Sequence, residues 1–148
     1  MYAKWLIACM ATSFAVSAHA QAAGDSADEL LNDANTVFRQ LDAGQFADVW
    51  ANAADFVKTR IKQDQFVADV RRARQSVGVV QHRGWAQLVR IQYTQRNDLP
   101  DGLYANVDFA TTLTTGTKMY EKLSFRLDSD GHWHLTGYVP RRTQDYLP

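Results

Sequence analysis

At Val79 the spacing of apolar residues changes, and this one change constrains the fold more than any other feature of the chain. Before it, apolar side chains recur every three or four positions; after it they fall on alternate positions, so a helical half is followed by a sheet half. Three helices are expected. Ser26 with Glu29 three residues later is a capping-box pattern, and Leu30, Ala34, Val37, Phe38 and Leu41 then keep helical spacing until Gly44 ends the run. Phe46, Val49, Trp50, Ala53, Val57 and Ile61 predict a second helix, and Phe66, Val70, Ala73 and Val77 a third that stops at Gly78.

Beyond Val79, turn signals at 97–102, 115–116 and 128–131 divide the chain into four strands. Odd positions carry the apolar set: Trp85, Val89, Ile91 and Tyr93, then Leu103, Val107, Phe109 and Leu113, then Met119, Leu123, Phe125 and Leu127, then Trp133, Leu135 and Val139. A common parity means one buried face, and the short connections make the strands antiparallel. The expected class is α+β, with N-terminal helices packed on a curved four-stranded antiparallel sheet.

With 148 residues, 46% of them hydrophobic, the chain suffices for one domain. Its first twenty residues read differently. Lys4 precedes an apolar run from Trp5 to Val16, and Ala18-His19-Ala20 fits the small-x-small site of a signal peptidase. Residues 1–20 are therefore expected to be a cleaved signal peptide and residues 21–148 the single mature domain, periplasmic or secreted. A lipobox reading of Leu6-Ile7-Ala8-Cys9 would put most of the apolar segment after the cysteine, the reverse of the usual layout. Cys9 is the only cysteine, so cleavage leaves a chain unable to form a disulfide, a cysteine nucleophile or a thiolate metal site. No later segment is apolar for long enough to span a bilayer as a helix.

Charge is segregated. Residues 21–57 hold seven acids against Arg39, and residues 58–96 hold nine bases against Asp64 and Asp69. The two stretches are expected to lie against one another, and export argues against nucleic acid as a partner.

The order of helices and strands, with Leu41-Asp42-Ala43-Gly44-Gln45-Phe46 leading into Trp50, resembles the nuclear-transport-factor-2-like (cystatin-like) cone fold. More closely, the chain resembles the exported bacterial proteins of domain of unknown function family 4019. The resemblance rests on Arg74 to Gly78 with Arg83, Pro100-Asp101-Gly102 with Tyr104 and Phe109, Glu121, and Asp130-Gly131 with Trp133, Gly137 and Tyr138. It covers roughly residues 30–140 and departs at His134, where that family is expected to carry an arginine. The resemblance implies a fold and a compartment, and no reaction.

Glu121 breaks the alternation. It sits on the apolar parity between Met119 and Leu123, where an unpaired charge is costly. Arg83 on the first strand and Arg74 at the end of the third helix are the cations expected to meet it. Two readings stay open: a buried ion pair that anchors helix to sheet, or the polar floor of a ligand pocket completed by Tyr93 and Trp85. On the opposite parity, Tyr104, Tyr120 and Tyr138 are interface candidates for a homodimer or an envelope partner. His132 and His134 share that outer face, but with only His82 or Asp108 as a third ligand they fall short of a metal site, and neither metal nor cofactor is expected.

No nucleophile elbow, phosphate-binding loop, dinucleotide fingerprint or zinc-protease motif occurs. The expectation is a noncatalytic exported domain that binds a small ligand or a protein partner. A small pocket enzyme using Glu121 as general acid or base, and a structural subunit of an envelope assembly, are the alternatives.

Overall fold

The computed structural model describes Gly24 and residues 26–144. The proposed signal peptide and its cleavage point lie outside the described residues. Helices α1 (Ala27–Asp42), α2 (Phe46–Ala51), α3 (Asp55–Arg60) and α4 (Gln63–Gln75) precede strands β1 (Val80–Tyr93), β2 (Gly102–Leu113), β3 (Lys118–Leu127) and β4 (Trp133–Arg141). The strands form one antiparallel sheet in the order β1-β2-β3-β4, so the chain has an α+β fold with its helices on one side of an open meander.

Ser26 caps α1 by accepting a hydrogen bond from the Glu29 amide, and Gly44 with φ 71° follows the helix in a left-handed conformation that glycine adopts without strain. Leu30, Ala34, Val37, Phe38 and Leu41 form the buried stripe of α1. They meet Val107 and Phe109 of β2, Leu123 and Phe125 of β3, and Trp133 and Leu135 of β4 in one core. Phe38 stands edge-on to Phe109 with centroids 4.8 Å apart.

Four helices replace the expected three. The apolar period runs unbroken through Ala53 and Ala54, but the backbone there leaves the helix to pair with β4, the Ala54 amide donating to the Leu135 carbonyl over 2.9 Å. A sheet contact made from the far end of the chain interrupts a helix that local spacing would continue.

Register shifts change which side chains face the core; one falls at the start of β1, between Val80 and His82, and two lie further along the sheet. Pairing of β1 with β2 shifts between Trp85 and Gln87, after which Leu88 lies opposite Val107 while Ile91 lies opposite Tyr104. Pairing of β3 with β4 shifts where Ser124 meets Gly137 and Phe125 meets Leu135, which makes Thr136 an extra residue. Past each of these two later bulges the odd-in parity inverts, so Tyr138 turns inward and Val139 is 47% exposed.

Candidate functional site

Glu121 is fully buried, and three side chains converge on its carboxylate. Arg83 Nε donates to Oε1 over 2.7 Å, Thr111 Oγ1 donates to the same oxygen over 2.6 Å, and Tyr138 OH donates to Oε2 over 2.5 Å. The arrangement continues outward. Arg83 grips both oxygens of Asp42 over 2.7 and 3.0 Å, and Arg74 Nε donates to Asp42 Oδ1 over 2.9 Å while its Nη1 holds the Gly78 carbonyl. The Arg83 guanidinium also lies 4.2 Å from the Phe38 ring centroid. Charges thus alternate from core to surface, from Glu121 to Arg83 to Asp42 to Arg74, and the acidic segment ending α1 is clasped by the basic segment.

The environment fixes the protonation of the outer members. Burial disfavours charge on Arg83, but its hydrogen bonds to Asp42 and Glu121 outweigh that and hold the guanidinium above its ordinary range. Burial also raises Asp42, but Arg83 and then Arg74 overcome it and keep the carboxyl below its ordinary value. Burial, reinforced by the adjacent Glu121 charge, pushes the Tyr138 hydroxyl upward, so it remains a donor.

Sequence parity placed several of these residues differently. Arg83 reaches Glu121 directly, whereas Arg74 stops at Asp42. Tyr138 leaves the outer-face group and becomes a Glu121 ligand because of the Thr136 bulge. Tyr93 and Trp85 are not part of the Glu121 cluster. Tyr93 lies 5.2 Å from Tyr104, centroid to centroid, in a groove on the other side of the sheet with Asn106 and Ser124, and Trp85 stands where the β1–β2 register shifts before Gln87, 61% exposed. Tyr104 is buried rather than presented to solvent, its hydroxyl bound to the Pro100 carbonyl over 2.9 Å, and Tyr120 lines a separate shallow groove beside Trp85. The expected three-tyrosine surface therefore does not form.

Glu121 itself lines none of the main clefts, although Arg83 and Asp42 line an open groove with Arg39 and His82. The cleft with the most suitable walls lies elsewhere, between α1 and the start of β4, with a volume of about 320 Å³. Val37, Val49, Phe125, Trp133 and Leu135 give it an apolar floor. Asp33, Thr36 and Gln40 from α1 face Asn52, His132 and His134 across its mouth.

Two polar groups there contrast. The His134 ring spans the mouth, with Nδ1 3.2 Å from the Asn52 carbonyl oxygen and Nε2 2.8 Å from Asp130 Oδ2. Both partners only accept, so the ring satisfies both when each nitrogen carries a proton. Burial opposes that charge, but Asp130 and the Asn52 carbonyl outweigh it and raise the His134 pKa above its usual value. Asp33 has no such partner: among the described residues none donates a hydrogen bond to its carboxylate. Burial, followed by repulsion from Glu29 four residues earlier, raises its pKa.

Asp33 and Gln40 belong to no motif. The available signal was positional, since Asp33 lies three residues after Leu30 and four before Val37, on the flank of the apolar stripe. The H-x-H pair does not gather the ligands of a metal centre: His134 is engaged by Asp130, and Asp108 is bound to Arg141 over 2.6 Å. Among the described residues no group of three or more His, Cys, Asp or Glu side chains is placed to hold a metal ion, and no helix is long and apolar enough to cross a membrane.

Helices on one face of an open antiparallel meander, with a charged core cluster and a separate cleft, define an α+β domain. The model of the family described as Protein of unknown function (DUF4019) matches residues 33–138, and the chain belongs to that family. The match runs from Asp33 within α1 to Tyr138 in β4, and so includes the Glu121 cluster and every residue that lines the cleft. No curated protein and no solved structure matches the chain.

Proposed function

We propose that this chain is an exported, noncatalytic domain that binds a small organic ligand in the cleft between α1 and β4. The observation that carries the reading is the division of labour between two polar sites. Glu121 has its carboxylate bound by Arg83, Thr111 and Tyr138 and does not itself line any of the main clefts, so its hydrogen-bonding capacity is spent on the fold. The α1–β4 cleft combines an apolar floor with polar groups at its rim, and its volume falls at the lower end of the roughly 300–1,000 Å³ usual for ligand pockets. Export is supported by Lys4, the apolar run to Val16 and the small residues Ala18 and Ala20.

A fragment screen read by amide chemical shifts tests the reading. Hits should perturb residues around Asp33, Gln40 and His134, and Gln40→Trp, which fills the mouth, should abolish them. Hits confined to other surfaces, or unaffected by Gln40→Trp, would refute it.

A second reading draws on Trp85, whose exposure marks the outer sheet face as a place for an envelope partner or a second copy. Sedimentation of the parent and of Trp85→Glu separates the two: an assembly that dissociates in the variant favours the interface, and a monomer in both removes it.

A further inference from the structure

We infer that the α1–β4 cleft selects an organic cation, an ammonium group carried on an apolar body, with Asp33 as its counter-ion. The inference rests on the cleft reading above and adds the class of ligand. A carboxylate at the edge of an apolar cavity has lost part of its hydration, and each partly buried charge left without a partner is a cost the fold bears. Elsewhere in this domain that cost is met: Glu121 holds Arg83, Asp42 holds Arg83 and Arg74, and Asp108 holds Arg141. Asp33 is the exception among these acids, and it lines the one cleft whose floor is built from Val37, Val49, Phe125, Trp133 and Leu135.

The neighbouring charges sharpen the choice. The cation nearest in character, His134, is already committed to Asp130 over 2.8 Å and so cannot serve as an anion-binding group without breaking that pair. Glu29 adds a second negative charge on the same helix, one turn before Asp33, and lies 4.0 Å from His132. An ammonium group entering the mouth meets the Asp33 carboxylate, on which His132 and His134 act only through space, whereas an entering carboxylate would be repelled by it. Placing the charge at Asp33 directs the apolar body of the ligand to the Trp133 and Phe125 floor, where burial of its surface supplies affinity and the ion pair supplies selectivity.

Three probes of one shape test this: phenethylammonium, phenethyl alcohol and phenylacetate, each titrated into the purified protein with amide shifts and calorimetry as readouts. Phenethylammonium is expected to bind at least tenfold more tightly than either analogue, with shifts at the cleft. Asp33→Asn should remove that advantage while leaving the weak affinity for the alcohol unchanged. Equal binding of the alcohol, tighter binding of phenylacetate, or an ammonium affinity that survives Asp33→Asn overturns the cation while leaving the cleft in place. Failure of all three probes to perturb the cleft overturns the cation and the cleft together.

Discussion

Tyr138 donates its hydroxyl to Glu121 across 2.5 Å because one extra residue, Thr136, turns the end of β4 inward. Without the bulge, regular alternation counted from Leu135 would point Tyr138 to the opposite side and bring Val139 into the core. The register of one strand thus completes the shell of a buried charge that three elements share: Arg83 from β1, Thr111 from β2 and Tyr138 from β4.

Removing this single donor isolates its contribution. Tyr138→Phe keeps the ring that stands 6.4 Å from Phe38 and loses only the hydroxyl. A hydrogen bond to a charged group is worth about 1.5–3 kcal/mol, so urea denaturation should show a loss in that range with an unchanged slope. A loss near zero would mean that Glu121 does not depend on Tyr138.

Asp42 sets the acid limb of stability. Its carboxyl is held below the ordinary value of 3.8 in the folded chain, so the unfolded state binds the proton first as pH falls. The stability it contributes is complete above about 3.8 and is lost as pH drops from there through the lower folded value. Asp42→Asn should be less stable at neutral pH and show a flatter decline below pH 4 than the parent. Parallel declines in the two proteins would show that the clasp on Arg83 and Arg74 is not the acid-sensitive element.

His134 acts with the opposite sign. Its folded pKa is raised above 6.5, so the stabilisation from Asp130 and Asn52 is complete below 6.5 and fades as pH rises through the folded value. His134→Gln should therefore melt lower than the parent below that pH and approach it above. Nuclear magnetic resonance titration of the His134 ring gives the midpoint directly, and a midpoint at or below 6.5 would contradict the double hydrogen bond.

Much of this architecture was legible because its signals are local. The change of period at Val79 separates helices from sheet, Ser26 and Glu29 mark the start of α1, and the inward parity of Glu121 with Arg83 announces the buried pair. What escaped depends on partners distant in sequence. The break between α2 and α3 carries no glycine or proline and is produced by the Leu135 carbonyl accepting from Ala54. The bulges after Trp85 and at Thr136 have no side-chain signature of their own, so parity held as far as Arg83 and Leu135 and failed beyond them, misplacing Trp85, Tyr93, Tyr138 and Val139. The cleft joins Asp33 on α1 to His134 on β4, residues that only the sheet's closing strand brings near one another.

The assignment of Glu121 to the fold, which directs attention to the cleft as the binding site, is tested most directly by the thermal stability of Glu121→Ala measured beside Glu121→Gln. Removing one partner of a buried ion pair leaves the other charge uncompensated and costs about 3–5 kcal/mol, while an amide of the same shape keeps part of the hydrogen bonding and costs less. The expected result is a much lower melting temperature for Glu121→Ala, with Glu121→Gln between it and the parent. A melting temperature for Glu121→Ala equal to or above that of the parent would contradict the account and return Glu121 to the role of a functional carboxylate held at the expense of stability.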